Sequence, residues 1–400
     1  MTLFSDVQQA PPDAILGLTE KFKADPNPRK VNLGVGVYQD ERGVLPLLRC
    51  IEAAERKLAQ QPKAKGYLAI DGLPTYDTDV KELVFGTGSP LLAEGRVVTV
   101  QALGGTGALK VGADLLRQVS PDATVLISTP SWENHQALFT RAGFTVEKYR
   151  YYDAADKAVD VEGMLADLRS AQPGTIVVLH ACCHNPTGYD LTPARWQRVI
   201  DAVLEANLTP FLDMAYQGFS QGIEEDGAVV RAFAERVPNF FVSTSFSKSF
   251  SLYGERVGGL SIVCADADEA ARVLSQVKIV IRTNYSNPPT HGAALVETVL
   301  ADPELRAQWV EELGEMRDRI KAMRTTLVQG LRDAGVTQDM SYITDQVGMF
   351  SFSGLTKDQM VRLRTEFGVY GTDTGRICVA ALNDDNVGYV SESIAAVLKG

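Results

Sequence analysis

The sequence has no apolar run approaching the roughly 20 residues that a membrane-spanning helix needs, and it contains few cysteines and histidines. Its first residues, MTLFSDVQQAPPDAILGL, carry no basic start followed by an apolar stretch, so we expect no signal peptide. The five cysteines are odd in number and scattered, which favours reduced thiols over a disulfide framework. We therefore predict a cytoplasmic protein that does not bind a membrane.

Basic residues are also fewer than acidic residues. The 39 lysines and arginines are outnumbered by 50 aspartates and glutamates, which gives a net charge of −11. Such a surface repels phosphate backbones and anionic headgroups, so we expect no nucleic-acid partner. The remaining composition is that of an ordinary globular protein, 45% hydrophobic over 400 residues. This is enough for a large core and for two domains.

A zinc site is weakly indicated by one stretch. His180 and His184 flank the adjacent Cys182 and Cys183. Adjacent cysteines lack the spacer of a zinc knuckle, and no glutamate completes a metalloprotease motif. We therefore predict no bound metal.

Seven short apolar runs alternate with helical stretches from Val97 onward. Their sequences are VVTVQAL, TVLIS, FTVEKYR, TIVVLH, TPFLDM, FFVSTS and GLSIVC. Continuous β-branched runs of this length indicate strands that are buried on both faces. The pattern predicts an α/β fold with a seven-stranded, mostly parallel sheet covered by helices.

A long amphipathic helix is predicted from Asp302 to Gly335, with Asp302 as its cap. Strand-like and helical segments alternate after it, which is typical of a smaller α+β domain. The expected division is an N-terminal arm over 1–12, a small domain over 13–45 and 316–400, and a large domain over 46–315.

The stretch SFSKSFSLYGERVGG places Lys248 just past the end of a predicted buried strand. Open α/β sheets bind ligands in the crevice at the carboxyl ends of their strands. A lysine there can form a Schiff base if burial or a neighbouring cation lowers its pKa. Ser245, Ser247 and Arg256 suit an anionic phosphate group. From this stretch alone, a solvated lysine in a serine-rich loop remains the alternative.

Other strands are followed by further polar residues. The glycines that begin at Gly104 predict a turn between a strand and a helix that holds one phosphate group. Asp213 stands at a strand end in apolar surroundings, where a carboxylate needs a partner. A protonated pyridine nitrogen would be such a partner, and backbone groups are the alternative. Arg282, expected in a loop, and Arg376 suit carboxylates.

Nine segments in order resemble the class I aminotransferases, which are pyridoxal-phosphate enzymes of the aspartate and aromatic amino acid type. They are VNLGVGVY, GYLAIDG, LGGTGAL, PSWENH, CCHNPTG, DMAYQGF, SFSKSFSLYGERVGG, NYSNPP and GRICVA. The resemblance runs nearly end to end. It implies the aspartate aminotransferase-like fold (fold type I), pyridoxal 5'-phosphate as cofactor and a homodimer with shared active sites. It also implies ping-pong transamination between an L-amino acid (aspartate, tyrosine or phenylalanine) and 2-oxoglutarate.

The resemblance further implies a role for each motif residue. Lys248 would carry the cofactor as an internal aldimine and move the catalytic proton, with Asp213 at the pyridine nitrogen and Tyr216 at the ring oxygen. The other cofactor-binding residues would be Gly105, Thr106, Trp132, Asn185, Ser245, Ser247, Arg256 and, from the neighbouring subunit, Tyr67. The substrate-binding residues would be Gly36, Trp132, Asn185, Arg376 for the α-carboxylate and the neighbour's Arg282 for a distal carboxylate.

The resemblance gives mixed indications of the preferred substrate. Arg282 implies dicarboxylates, whereas SLYGERVGGLS is closer to the aromatic branch. Leu45 is bulky, while Thr106 and Asn287 are typical of the aspartate branch. We therefore expect a broad enzyme, with a strict aspartate aminotransferase or a lyase on the same scaffold as alternatives.

Two other classes are disfavoured. The stretch from Ser245 to Lys248 also matches the S-x-x-K motif of serine acyl-enzymes, but the S-D-N and K-T-G motifs of that class are missing. A regulator of this fold would carry an added DNA-binding domain, for which an end-to-end resemblance leaves no room.

Overall fold

The computed structural model describes residues 2–10 and 15–399. Its strands are β1 (Val31–Asn32), β2 (Val97–Leu103), β3 (Thr124–Thr129), β4 (Thr145–Arg150), β5 (Tyr152–Asp153), β6 (Ala158–Val159), β7 (Ile176–His180), β8 (Thr209–Met214), β9 (Phe240–Ser245), β10 (Val257–Val263), β11 (Phe350–Phe352), β12 (Val369–Tyr370) and β13 (Arg376–Cys378).

The helices alternate with these strands. They are α1 (Leu16–Ala24), α2 (Arg49–Gln60), α3 (Pro74–Phe85), α4 (Pro90–Ala93), α5 (Gly104–Val119), α6 (Glu133–Arg141), α7 (Val161–Ser170), α8 (Pro193–Glu205), α9 (Ile223–Arg236), α10 (Ala267–Asn284), α11 (His291–Ala301), α12 (Pro303–Asp333), α13 (Lys357–Phe367) and α14 (Asp384–Lys399). Two short 3-10 helices cover Ser341–Asp345 and Val379–Ala381.

The seven predicted apolar runs form one sheet, in the order β2-β10-β9-β8-β7-β3-β4. The pairs from β9 through β4 are all parallel. Only β10 runs antiparallel to its neighbours, β2 and β9. The predicted α/β fold with a mostly parallel seven-stranded sheet is therefore confirmed.

Separate apolar cores lie on the two faces of this sheet. Along β8, Phe211 joins one core together with residues of α5, α6 and α10. Leu212 and Met214 join the other core, with residues of α3, α7, α8 and α9. Because alternate residues of a strand point to opposite faces, both faces of the sheet are apolar and covered, as the continuous runs predicted.

The predicted long helix is α12. The side chain of Asp302 accepts hydrogen bonds from the backbone N–H groups of Glu304 and Leu305, and Pro303 is the first helical residue. The predicted apolar stripe is buried throughout, at Leu305, Trp309, Leu313, Met316, Ile320, Met323, Leu327 and Leu331. The helix packs against α2 and α11 at the large sheet and against α14 in the C-terminal segment. It therefore connects the two parts of the molecule, whose domain boundaries stay a prediction.

The small two-stranded sheets lie outside the main sheet. β1 pairs with β12, and β11 pairs with β13. In the predicted N-terminal arm, residues 2–10 are exposed, including Leu3, Phe4 and Val7. Residues 1, 11 and 12 of that arm lie outside the described residues. Among the described helices, none combines the length and the apolar character needed to cross a membrane.

Candidate active site

A cavity of about 300 Å³ lies at the carboxyl ends of the central strands. Its wall also includes the segment around Gly36, together with Phe350 and Arg376. Twelve of the fourteen predicted site residues line it: Gly36, Gly105, Thr106, Trp132, Asn185, Asp213, Tyr216, Ser245, Ser247, Lys248, Arg256 and Arg376. The parallel strands bring together segments that are far apart in the sequence.

Lys248 follows the end of β9 by three residues and is partly buried in the cavity wall. Its Nζ lies 4.8 Å from the centre of the Tyr216 ring. Burial lowers the pKa of Lys248 from 10.5 to about 8; Asp213 opposes this change and the charge of Arg256 adds to it. The amine is therefore much easier to deprotonate than an ordinary lysine.

Asp213 lies in β8 and is buried. It shares a strand face with Phe211, and that face is covered by α6. From α6, His135 places its Nε2 2.8 Å from Oδ2 of Asp213. The other ring nitrogen of His135 lies 2.9 Å from Oγ of Ser131. A buried carboxylate needs a partner, and His135 is one that the sequence interpretation missed.

The charge state of Asp213 follows from these contacts. Burial raises the pKa of its carboxyl, but the hydrogen bond with His135 and the charge of Lys248 outweigh burial, so its pKa lies below the usual value. His180, whose ring centre is 4.9 Å from that of His135, has its pKa lowered to about 3 by burial. The cavity wall therefore contains the ionised carboxylate of Asp213 and the neutral imidazole of His180.

An anion-binding corner lies where α5 begins. β2 ends at Leu103 and the helix starts at the next residue, Gly104, with φ +68°. The predicted strand-to-helix turn is thus made at Gly104, whose positive φ is not that of a right-handed helix, and Gly105 already belongs to the first turn of α5. Helix N-termini present free N–H groups to anions. A Cβ at Gly104 would lie 2.5 Å from Nη2 of Arg256, and one at Gly105 would lie 3.1 Å from Cβ of Ser245.

The remaining polar groups of this corner are already oriented. Nη1 of Arg256 donates to Oγ of Ser247 at 3.1 Å and to the carbonyl of Tyr253 at 3.0 Å. The backbone N–H of Ser247 donates to Oγ of Ser245 at 3.3 Å. Two hydroxyls and a guanidinium thus converge on a helix N-terminus, which the glycines allow Arg256 and Ser245 to approach closely. This set of donors suits a phosphate group.

Arg376 begins β13 and is almost fully buried. Its Nη1 donates to Oδ1 of Asn185 at 3.0 Å, and its Nη2 donates to the carbonyl of Gly34 at 2.7 Å. Its Nε has no hydrogen-bond partner in the described chain, and no carboxylate there is within ion-pair distance. A buried guanidinium of this kind suits a carboxylate ligand.

Two predicted site residues lie outside the cavity. Tyr67, in a loop as predicted, is 96% exposed. Arg282 is exposed as well, but the prediction that it lies in a loop is wrong. It belongs to the last turn of α10, and its Nη1 donates to Oγ of Ser286. The helical spacing of Val277, Val280 and Ile281, all buried, extends α10 through this residue.

The sequence interpretation missed three residues of the cavity wall and a buried residue beside it. His135 fixes Asp213, while His180, Tyr253 and Phe350 line the wall. The PSWENH stretch contained His135 and gave the one available signal for it. For Phe350 the sequence offered none, because its importance depends on packing across the molecule: its ring lies over the Arg376 guanidinium at 4.3 Å.

The stretch considered for zinc lies mostly behind this cavity. Both ring nitrogens of His184 are 2.9 Å from hydroxyls, those of Ser128 and Thr187. Within the described chain, the one group close enough to hold a metal ion comprises Cys182, Cys183 and Asp226. The hydrogen bond with Cys183 lowers the pKa of Cys182, but burial and nearby carboxylates outweigh it and raise that pKa, and burial raises the pKa of Cys183 as well. Three backbone N–H groups already donate to the Asp226 carboxylate. The absence of a bound metal stays a prediction.

Comparison with known proteins gives consistent matches over the whole chain. The family model for aminotransferase class I and II matches residues 28–394. The aspartate aminotransferase of Pseudomonas aeruginosa is 60% identical over 398 residues, which cover 100% of both chains.

Two solved structures are also similar over the full length. One is the aromatic-amino-acid aminotransferase from Burkholderia pseudomallei covalently bound to pyridoxal phosphate, with a TM-score of 0.97, 62% identity and 100% of both chains covered. The other is the aromatic amino acids aminotransferase from Psychrobacter sp. B6 cocrystallised with aspartic acid, with a TM-score of 0.97, 45% identity and the same coverage.

Proposed function

The chain belongs to the aminotransferase class I and II family, and from this membership we propose that it is a transaminase of broad amino-acid specificity. It is a pyridoxal-phosphate-dependent aminotransferase with the fold of that family. We infer that it moves the amino group of aspartate, tyrosine or phenylalanine to 2-oxoglutarate in two half-reactions. The observation that carries this proposal is the cavity that combines an easily deprotonated Lys248 with the buried, carboxylate-free Arg376.

The residues of the cavity fit pyridoxal phosphate. The glycine-lined corner at α5 suits its phosphate, and the ionised Asp213 suits a protonated pyridine nitrogen. Tyr216 and Asn185 would bind the ring oxygen, Trp132 would lie against the ring, and Lys248 would hold the cofactor covalently. The residues assigned to the phosphate are Gly105, Thr106, Ser245, Ser247 and Arg256.

The chemistry of the chain's own groups follows from this arrangement. When bound, pyridoxal phosphate supplies an electron sink for negative charge at the substrate's α-carbon. Once the substrate's amino group has displaced it from the cofactor, Nζ of Lys248 would accept the α-proton, because a free amine with a pKa of about 8 is partly unprotonated near neutral pH. Arg376 orients the α-carboxylate so that this proton points at the amine. His135 keeps Asp213 ionised throughout.

The proposed substrate range rests on the relatives. An aspartate aminotransferase and an aromatic-amino-acid aminotransferase are both about 60% identical to this chain. The aromatic enzyme from Psychrobacter was cocrystallised with aspartic acid. A site that accepts both side chains needs a cation that can move, because an unpaired arginine beside an aromatic ring is costly. An exposed arginine such as Arg282 meets this need.

We also propose that two copies of the chain share their active sites. Tyr67 and Arg282 lie outside the cavity of their own chain, and both are exposed. Each would reach the cavity of the partner subunit, Tyr67 at the cofactor phosphate and Arg282 at a distal substrate carboxylate.

The selectivity of two arginine variants tests the proposed function. Replacing Arg282→Leu removes one half of an ion pair at a desolvated site, which costs about 3–5 kcal/mol, so kcat/KM for aspartate should fall by roughly two to four orders of magnitude. The value for phenylalanine should stay within about tenfold, because that substrate has no distal carboxylate. Arg376→Leu should reduce kcat/KM for both substrates alike.

Arg272→Leu is the matched control, since Arg272 is exposed on the same helix and should leave both substrates unaffected. Equal losses for aspartate and phenylalanine in the Arg282 variant would contradict the role of Arg282. Turnover of aspartate alone by the parent enzyme would indicate a strict aspartate aminotransferase. Continued product release beyond one equivalent per active site, without any added 2-oxo acid, would indicate a lyase.

A further inference from the structure

A second arginine is buried close to the cavity without a carboxylate partner. Arg324 lies on α12 and is 2% exposed. None of the ion pairs in the described chain includes it. Burial lowers its pKa to about 10, so it remains charged at neutral pH. Buried charges normally have a charged partner. Because Arg324 has none among the described residues, its role must be sought in its hydrogen bonds.

In the described part of the chain, the hydrogen bonds that the Arg324 guanidinium donates all go to backbone carbonyls. Nη2 of Arg324 donates to the carbonyl of Gly348 at 2.7 Å and to that of Phe350 at 2.5 Å, while Nη1 donates to the carbonyl of Ile343 at 3.4 Å. The intervening carbonyl, that of Met349, points the other way and accepts from the N–H of Ala380. Successive carbonyls of a strand alternate in this manner, so Arg324 occupies the edge of β11 where a third strand would pair.

Phe350, whose carbonyl Arg324 holds, lies in the cavity wall next to Arg376. The ring of Phe350 lies 4.3 Å from the Arg376 guanidinium and edge-on to the Tyr216 ring at 5.9 Å. Gly36 packs against the same ring so closely that a Cβ there would lie 2.5 Å from Cζ of Phe350. A shift of Phe350 would therefore displace the guanidinium or open the wall beside it.

We propose that Arg324 is a positioning residue for the carboxylate-binding arginine. It fixes the backbone of Phe350, whose ring sets the place of the Arg376 guanidinium. This inference rests on the proposed role of Arg376. Because the α-carboxylate stays bound throughout turnover, loss of Arg324 weakens binding more than it slows chemistry. It also affects aspartate and phenylalanine alike, in contrast to loss of Arg282.

The binding of two unreactive carboxylates by the holoenzyme tests the proposed role of Arg324. The probes are maleate and 3-phenylpropanoate, titrated by the change in cofactor absorbance, alongside kcat and KM for aspartate and phenylalanine. We expect Arg324→Met to raise the Kd of both probes and the KM of both substrates about tenfold or more, with kcat changed less than threefold. Arg324→Lys, which keeps the charge and some donors, should restore Kd to within about threefold of the parent.

Leu327→Ala is the control for a merely structural effect. Leu327 is fully buried on the same helix one turn away, and its truncation lowers the unfolding midpoint while leaving the carbonyl contacts of Arg324 in place. It should leave both Kd values within about twofold of the parent. Parent-like Kd values in Arg324→Met, or an equal rise in Leu327→Ala, would overturn the inference.

Two further variants complete the design. If Arg324→Met does not fold, Arg324→Gln decides, because its amide ends two bonds short of the nitrogens with which Arg324 donates to the carbonyls of Gly348 and Phe350. A raised Kd then supports the inference, and a parental Kd overturns it. Arg376→Leu tests the premise separately. If that variant binds both probes as the parent does, the proposed role of Arg376 fails, and the inference about Arg324 fails with it.

Discussion

Lys248 is expected to make the apoprotein less stable than it would be without this side chain. A charged amine held in the cavity wall loses hydration, which is why burial lowers the pKa of Lys248 from 10.5 to about 8. Replacing Lys248→Met keeps a long side chain but removes the charge. Asp213 retains its hydrogen bond with His135 in this variant, so its carboxylate is not left unpaired.

The magnitude follows from the change in pKa. Each pKa unit corresponds to about 1.36 kcal/mol, so the change from 10.5 to about 8 represents about 3 kcal/mol. Water in the cavity screens the partly exposed amine, and we therefore expect a gain of about 2 kcal/mol in the free energy of unfolding. Below pH 8 the amine is charged in both states and the gain is complete.

The pH dependence has a definite sign. Between pH 8 and 10.5 the unfolded chain binds more protons at Lys248 than the folded chain, so the parent becomes more stable as pH rises. The advantage of the variant should therefore shrink across this window and vanish above it.

Urea unfolding of the two apoproteins at several pH values measures the difference. Lys63→Met, at an exposed position, is the control and should show no such pH-dependent gain. A Lys248→Met apoprotein that is no more stable than the parent at pH 7, or whose gain is the same at pH 7 and above pH 10.5, would refute the reasoning.

Two further predictions concern the dimer and the carboxylate at β8. A mixture of Lys248→Ala and Arg282→Ala chains, each inactive on aspartate, should recover about a quarter of the parental activity after exchange, since half of the dimers then hold one intact site; no recovery after verified exchange would exclude shared sites. His135→Ala should lower the free energy of unfolding by about 2 kcal/mol, because it removes a hydrogen bond to the buried, ionised Asp213. Denaturant unfolding checks this, and an unchanged midpoint would show that Asp213 does not depend on His135.

Features specified by local sequence were predictable. The seven strands followed from continuous β-branched runs, and α12 followed from the Asp302 cap and its apolar stripe. The convergence of most predicted site residues on one cavity followed from the rule that parallel strands end at the same edge of a sheet.

Contacts between distant segments were not predictable from one sequence. His135 meets Asp213 across 78 positions, and Arg324 reaches Phe350 across 26. Such pairs depend on how α6 and α12 pack, which local patterns do not encode. One local prediction was wrong for a physical reason: the helical spacing of buried residues carries α10 through Arg282.

The attachment of the cofactor to Lys248 is the claim on which the account depends most. The purified holoenzyme should be treated with borohydride, which fixes a cofactor bound to an amine, and then digested and mapped by mass spectrometry. We predict one modified peptide, with pyridoxal phosphate on Lys248, and no modification in Lys248→Ala. Cofactor fixed to a different lysine, or equal modification of the Lys248→Ala protein, would contradict the account.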